Sequence, residues 1–208
     1  MLYFIGGPPK SGKTTLAKRL SKSKGIPWVS TDTLQTVIIP YIDENELNEK
    51  FPTRAQRCES NDEKYSKYLT DEIIKAYQKQ AKTTYPAIDM FAICEITDGN
   101  DFIIEGYHVE PELVAELNEK YPGKLKSIFL LKSDETKFID NIKKSTTPND
   151  WIIARTKNEE TYNEIAKMVC KYGEFFKKEA EKLGFKSMNM DDDFDNQIEV
   201  AINELTAT

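Results

Sequence analysis

Arginine is scarce in this sequence. Arg19, Arg54, Arg57 and Arg155 are the only four, so lysine supplies 25 of the 29 basic side chains. Histidine occurs once, at His108, and cysteine three times, at Cys58, Cys94 and Cys170. The cysteines are odd in number and lack Cys-x-x-Cys or Cys/His spacing, which supports neither a disulfide framework nor a zinc site and suits free thiols in a reducing compartment. No apolar run approaches the roughly 20 residues that cross a bilayer, and the first residue already opens a strand, leaving no room for a signal peptide. A cytoplasmic location without a membrane partner is expected. The formal net charge of −6 gives no general attraction to nucleic acid, so any phosphate must be held locally. With 208 residues, 39% hydrophobic and 31% charged, the chain fits one globular domain, and no repeat or low-complexity linker divides it.

Three of the nine glycines, Gly6, Gly7 and Gly12, fall within one short stretch. Gly7, Pro8, Pro9, Lys10, Ser11, Gly12, Lys13 and Thr14 match the phosphate-binding pattern G-x-x-x-x-G-K-[ST] without a mismatch, and Thr15 continues it into a helix. The apolar run 1–5 before it has strand length, and Leu16, Ala17 and Leu20 after it have helical spacing. Backbone amides of such a loop, with the partial positive charge of the helix start, bind an anion even before a side chain is counted. Lys13 is placed to reach the terminal phosphates of ATP and Thr14 to ligate Mg²⁺.

Downstream, Trp28-Val29-Ser30 suits a short second strand ending at Thr31-Asp32, and Leu34, Val37 and Ile38 suit a helix that stops at Pro40. A polar, strandless region follows, with helices expected over 62–81 and 86–96. Phe102-Ile103-Ile104-Glu105-Gly106 is a buried strand that stops on a carboxylate, and a helix over 111–120 comes after it. A fourth strand over 127–131, a helix over 134–144, a break at 145–148, a short helix capped by Asn149 or Asp150, a long helix over 159–183 closed by Gly184, a fifth strand over 185–190 and a last helix over 194–205 complete the chain. Strands that alternate with helices imply an α/β fold with a parallel sheet covered on both faces. Asp191-Asp192-Asp193 has no metal-ligand spacing around it and suits a solvated turn.

Asp32 stands where open parallel sheets place their ligands, on the rim of the phosphate loop, and can accept the proton of an alcohol acceptor; Asp also favours a helix N-cap. Glu105 closes its strand as does the carboxylate that meets Mg²⁺ or positions a nucleophile in phosphate-loop proteins. The guanidinium fork suits phosphate and carboxylate, which singles out Arg155, near Lys143, Lys144 and Lys157, for a transferring phosphoryl group, and Arg54 and Arg57 for an anionic acceptor. Arg19 suits a structural role. A lone loop histidine such as His108 is more often a hydrogen-bonded residue than a catalytic one.

Together these motifs resemble the nucleoside monophosphate kinase-like branch of phosphate-loop proteins, which includes gluconate and shikimate kinases. The resemblance implies a five-stranded parallel core over 1–40, 98–135 and 159–208, a helical acceptor-binding insertion over 41–97 and an arginine-bearing lid over 136–158. Val29-Ser30-Thr31-Asp32-Thr33-Leu34 and Glu105-Gly106-Tyr107-His108-Val109-Glu110-Pro111 are most similar to the S-T-D and E-G-x-H-x-x-P segments of 2-phosphoglycerate kinase. That similarity brings His108 into the acceptor site. Adenylate kinase fits less well, because Gln35 stands where its acceptor-holding arginine would be and its D-G-F-P-R segment is missing. Chloramphenicol phosphotransferase and the zeta toxins share the loop and the second-strand Asp. The implied activity is transfer from ATP, with Mg²⁺, to a hydroxyl of a small, anionic molecule. A nucleotide, nucleoside or polynucleotide end as acceptor, or a nucleotide switch without transfer, stays open, and no oligomeric state follows from the sequence. The adenine is expected near 190–194.

Overall fold

Five short apolar segments pair as parallel strands: β1 (Leu2–Gly6), β2 (Trp28–Ser30), β3 (Phe102–Glu105), β4 (Leu125–Leu131) and β5 (Ser187–Asn189), in the order β2-β3-β1-β4-β5. The computed structural model describes residues 1–146 and 150–207, so the expected break at Pro148 and cap at Asn149 lie outside the described residues. Strand side chains alternate between two apolar layers, as the two-residue pleat requires. Leu2, Phe4, Ile104, Phe129 and Leu131 join one cluster, and Ile5, Ile103, Ile128 and Leu130 join the other. Each such side chain, fully withdrawn from water, contributes roughly 1.5–3 kcal/mol.

Helices α1 (Lys13–Lys24) and α11 (Phe194–Thr206) cover the second layer through Leu16, Leu20, Ile198 and Ile202. The first layer is covered by α6 (Thr70–Asp98), α7 (Pro111–Lys120), α8 (Glu135–Lys143) and α10 (Glu159–Lys182), the last contributing Ile165, Val169, Tyr172 and Phe176. The five-stranded parallel sheet with helices on both faces is therefore as the sequence implies. Gly184, with φ 75, follows the end of α10 as a left-handed residue.

Between β2 and β3 the chain is helical but divided differently from expectation. After α2 (Thr31–Ile38) and a tight turn at Ile39–Tyr41 come α3 (Glu44–Lys50), α4 (Pro52–Ala55) and α5 (Asn61–Lys67). The helix expected over 62–81 is broken at Tyr68 and Leu69. A new start forms there because Glu72 accepts the Leu69 amide at 2.8 Å. From Thr70 the chain then runs through Pro86 to Asp98 as one helix instead of pausing between 81 and 86. Proline cannot donate to the carbonyl four residues earlier. Burial of Ile74, Thr84, Ile88 and Ala92 on both sides of Pro86 carries the helix through it.

In the aspartate run 191–193, Asp192 and Asp193 are exposed as a solvated turn requires, but Asp191 departs from it. Asp191 is buried, and one of its oxygens accepts the Ser133 amide, the Ser133 hydroxyl and the Asp134 amide. It thereby ties the end of β5 to the end of β4; among the described residues no cluster of three or more acids, histidines or cysteines is arranged to hold a metal.

Where α6, α7 and α10 meet, Glu110 is buried between two hydroxyls, Tyr85 donating at 2.6 Å and Tyr172 at 3.1 Å. Burial outweighs those bonds and pushes its carboxyl from 4.5 up to about 7. The folded state thus binds this proton more tightly than the unfolded chain, so stability is greatest below the ordinary carboxylate value and falls as pH rises through that window. Ionisation of Glu110 costs about 3 kcal/mol of stability at pH 8. Denaturant unfolding at pH 5 and pH 8 should show this loss in the wild type and a flatter profile in Glu110→Gln.

Candidate active site

The loop between β1 and α1 is shaped to receive an anion. Gly7 has φ 137 and lies so near β4 that a Cβ would meet the Leu130 carbonyl oxygen at 2.1 Å. Gly12, at φ 101, begins α1 without a side-chain cap, which leaves the first helix amides to another partner. Lys13 is 7% exposed, and its ammonium donates to the Pro8 carbonyl at 2.6 Å and lies 3.5 Å from the Ser11 hydroxyl. Burial lowers its pKa to about 8, against the opposing pull of Glu105 and Asp32. Lys10, in the left-handed region at φ 62, pairs at 2.7 Å with Asp150, which is 3% exposed.

Thr14 opens toward the cleft and donates to Glu105 at 3.0 Å. Glu105, 3% exposed, ends β3 opposite Ile5 of β1 and Ser30 of β2. Burial raises its carboxyl, and the Lys13 ammonium and the Thr14 hydroxyl offset only part of that rise. A hydroxyl and one carboxylate in contact are hard oxygen donors, and Mg²⁺ commonly takes one or two carboxylates and fills its octahedron with water and phosphate oxygens. Thr14 and Glu105 fit that ion, and the loop fits the phosphates of ATP.

Asp32 lies in the first turn of α2 and not at its cap; Ser30 caps that helix, accepting the Asp32 amide at 3.3 Å. Asp32 is 68% exposed, yet the protein atoms around it withdraw enough water to raise its carboxyl against the pull of Lys13. Behind it is a buried neutral network. His108 Nδ1 is 2.8 Å from the Thr31 hydroxyl and 3.8 Å from Asp32, and Nε2 is 2.6 Å from Gln35 Oε1. Gln35 Oε1 also accepts from Gln80 and from the Tyr107 hydroxyl, and Gln80 accepts from Thr53. An amide oxygen only accepts, so His108 carries its proton on Nε2 and takes the Thr31 hydroxyl proton at Nδ1. Burial lowers its pKa to about 3, which keeps it neutral. Gly106 permits this packing, since a Cβ there would meet Thr31 Oγ1 at 1.7 Å.

His108 is fully buried with both ring nitrogens engaged inside the protein, which does not bring it to the acceptor contact expected of it. Arg155 also sits elsewhere than expected. It closes α9 (Trp151–Arg155) and donates to the Cys58 carbonyl, whereas the nucleotide-side cleft of about 830 Å³ is lined by the phosphate loop, Lys132, Asn141, Lys144, Asp150 and Phe194. Arg54 and Arg57 stand exposed on and just after α4, with no ion-pair partner among the described residues.

A family model described as AAA domain matches residues 4–167. The chain belongs to the AAA domain family. Within that assignment, a 2-phosphoglycerate kinase of Methanococcus maripaludis is 24% identical over 145 residues, 65% of this chain and 44% of the relative. A mevalonate-3-phosphate 5-kinase of Thermoplasma acidophilum is 26% identical over 117 residues, 56% of this chain and 55% of the relative. The chain spans about half the length of these curated relatives. A gluconokinase from Sinorhizobium meliloti 1021 shares the fold with a TM-score of 0.56 at 12% identity, covering 98% of this chain and 90% of that one. The motif resemblance to small-molecule kinases drawn from the sequence agrees with these relatives.

Sequence reasoning missed several residues of this AAA domain site. Lys132 follows β4 as Glu105 ends β3, a charge at the end of an apolar strand, and donates to the Met190 carbonyl while lying 3.8 Å from Asp191 and 5.9 Å from the Phe194 ring. That strand-end signal was available. Gln80, Tyr107 and Thr53 had none, because their meeting depends on how α4 and α6 fold back over α2. One consequence concerns Lys13. Free Lys13 begins to lose its proton near pH 8, whereas a bound triphosphate would hold it charged, so MgATP affinity should fall by about tenfold per pH unit once that value is passed. Titration with a fluorescent ATP analogue at pH 7 and pH 9 checks this; a flat profile would mean that Lys13 does not meet the phosphates.

Proposed function

We propose that this chain is a kinase that uses ATP and Mg²⁺ to phosphorylate a hydroxyl of a small, anionic metabolite. The observation that carries this is Asp32, an open carboxylate on the same sheet rim as the buried Lys13 and Glu105 and the exposed Thr14. An acceptor that is already a phosphate anion needs no base, whereas an alcohol must lose its proton during transfer. The floor beside Asp32 favours an alcohol too, because Gln35 and His108 are neutral and occupied with one another.

In this reading Lys13 and the backbone N–H groups of the loop from Gly7 to Thr15, Pro8 and Pro9 excepted, hold the β and γ phosphates. Thr14 and Glu105 hold Mg²⁺, which supplies neutralisation of phosphate charge. Asp32 accepts the proton of the acceptor hydroxyl, its direction set by the Ser30 cap and the Thr31–His108–Gln35 chain behind it. Arg54 and Arg57 are exposed cations available to an anionic acceptor. The names of the curated relatives, kinases of 2-phosphoglycerate and of mevalonate 3-phosphate, support an acceptor of this kind.

The test is ADP release from MgATP against hydroxy acids, sugar acids, phosphorylated hydroxy acids and nucleoside monophosphates. Acceptor-dependent turnover is expected with a hydroxyl acid. Asp32→Asn should lower it by roughly 10²–10⁴-fold with MgATP affinity nearly unchanged. Normal turnover in that variant, or turnover of monophosphates alone, would overturn the assignment of the base.

A further inference from the structure

Two half-buried cations outside the phosphate loop, Lys64 of α5 and Arg155 of α9, are brought together by one buried amide. Asn61 donates to the Trp151 carbonyl at 3.1 Å and to the Thr156 hydroxyl at 2.9 Å, which fastens α9 against α5. Lys64 is one turn beyond Asn61, and Arg155 immediately precedes Thr156, so both cations lie at this junction. Arg155 donates to the carbonyl of Cys58, just ahead of α5. Burial lowers the Lys64 pKa, and although the nearby Cys58 thiol opposes this, the Arg155 charge adds to it.

No carboxylate of the described residues answers these charges. Among the described residues neither Lys64 nor Arg155 makes an ion pair. The acids of α5 turn away, Glu63 to Lys67, and Asp62 to the Lys157 and Asn158 amides. Like charges held together out of full solvent contact repel, and an arrangement that retains them without an acid suits an oxyanion, for which the guanidinium fork and an ammonium are complementary partners.

The junction borders the acceptor side. The Lys64 ammonium lies 5.7 Å from the centroid of the Tyr77 ring, and Tyr77 packs edge-on to Tyr107 at 4.9 Å. Tyr107 belongs to the Gln35–Gln80 network behind Asp32. Tyr77 thus has Lys64 against its ring while its hydroxyl is raised to about 12, by burial first and by the Asp32 carboxylate second.

We propose that Lys64 and Arg155 form an anion clamp that holds a phosphate group of the acceptor while a hydroxyl elsewhere on the same molecule meets Asp32. Two formal positive charges match the dianion of a phosphate better than a single carboxylate. The clamp rests on the kinase reading above, and it moves Arg155 from the transferring phosphoryl group to the acceptor.

The experiment is calorimetric titration of inorganic phosphate, and separately of acetate, into protein saturated with MgADP, so that nucleotide occupies the loop. Wild type should bind phosphate more tightly than acetate. Lys64→Met and Arg155→Met should each weaken phosphate binding at least about fivefold, with Arg155→Lys intermediate. Lys67→Met, which removes an exposed cation of the same helix, should match wild type, and MgADP affinity should be the same in all five proteins and report that each is folded. Absent phosphate binding in the wild type, or binding unchanged in both methionine variants, would overturn the clamp, and acetate binding as tightly as phosphate would overturn the phosphate assignment. Failure of every protein to bind MgADP would overturn the kinase reading itself, and with it the assignment of this clamp to an acceptor.

Discussion

Lys13 and Glu105 are buried together at the carboxyl ends of β1 and β3, and each makes the other's charge tolerable. An isolated charge at that depth would change its protonation state or draw in water. Here burial pulls Lys13 down and Glu105 up, and their mutual attraction opposes both shifts. Much of the architecture serves this arrangement. Parallel pairing of Ile5 with Glu105 sets the carboxylate beside the loop, and the close packing of Gly7 on the Leu130 carbonyl seats the loop on β4. The Thr14 hydroxyl then bridges helix and sheet. Backbone pairing in a buried parallel sheet fixes where the Glu105 charge stands relative to the loop that carries Lys13.

Next to this charged centre the chain builds a neutral one. Thr31, His108, Gln35, Gln80 and Tyr107 satisfy one another without a formal charge. A fully connected buried network is rigid, whereas one missing partner leaves a costly orphan. Its effect on Asp32 is geometric, since Thr31 is the preceding residue and Gly106 lets it pack against β3. A protonated imidazole 3.8 Å from Asp32 would neutralise the carboxylate, and holding His108 neutral avoids this.

The parts of the fold legible in the sequence were those governed by local rules. Lys13 to Thr14, the apolar strand ending at Glu105, Pro111 at a helix start and Gly184 past a helix end are each decided by neighbours within a few residues. The misjudged parts depend on distant partners. Pro86 signals a helix end locally, but tertiary packing carries α6 through it. Asp191 looks like one of three solvated acids until the Ser133 and Asp134 amides, 58 and 57 residues away, converge on it. The same holds for the site. Lys13, Thr14, Asp32 and Glu105 come from strand ends, where position follows from sheet topology. Lys64 resembles any other surface lysine in sequence, and only the Asn61 bridge to α9 brings it beside Arg155.

That bridge also explains why so short a helix as α9 is held at both ends. Its cap, Asp150, accepts the Ile152 amide and is buried against Lys10 of the phosphate loop, while its last residue, Arg155, reaches the Cys58 carbonyl beside α5. Five helical residues have little stability of their own, because nucleation of a helix is unfavourable. α9 therefore depends on its two attachments, one to the nucleotide loop and one to the helices that frame the acceptor side. Under the proposed function, phosphate entering the loop would compete with Asp150 for the Lys10 ammonium, and any weakening of that pair would act on the same helix that carries Arg155. The two sites that the proposed transfer would fill together thus share one marginal element.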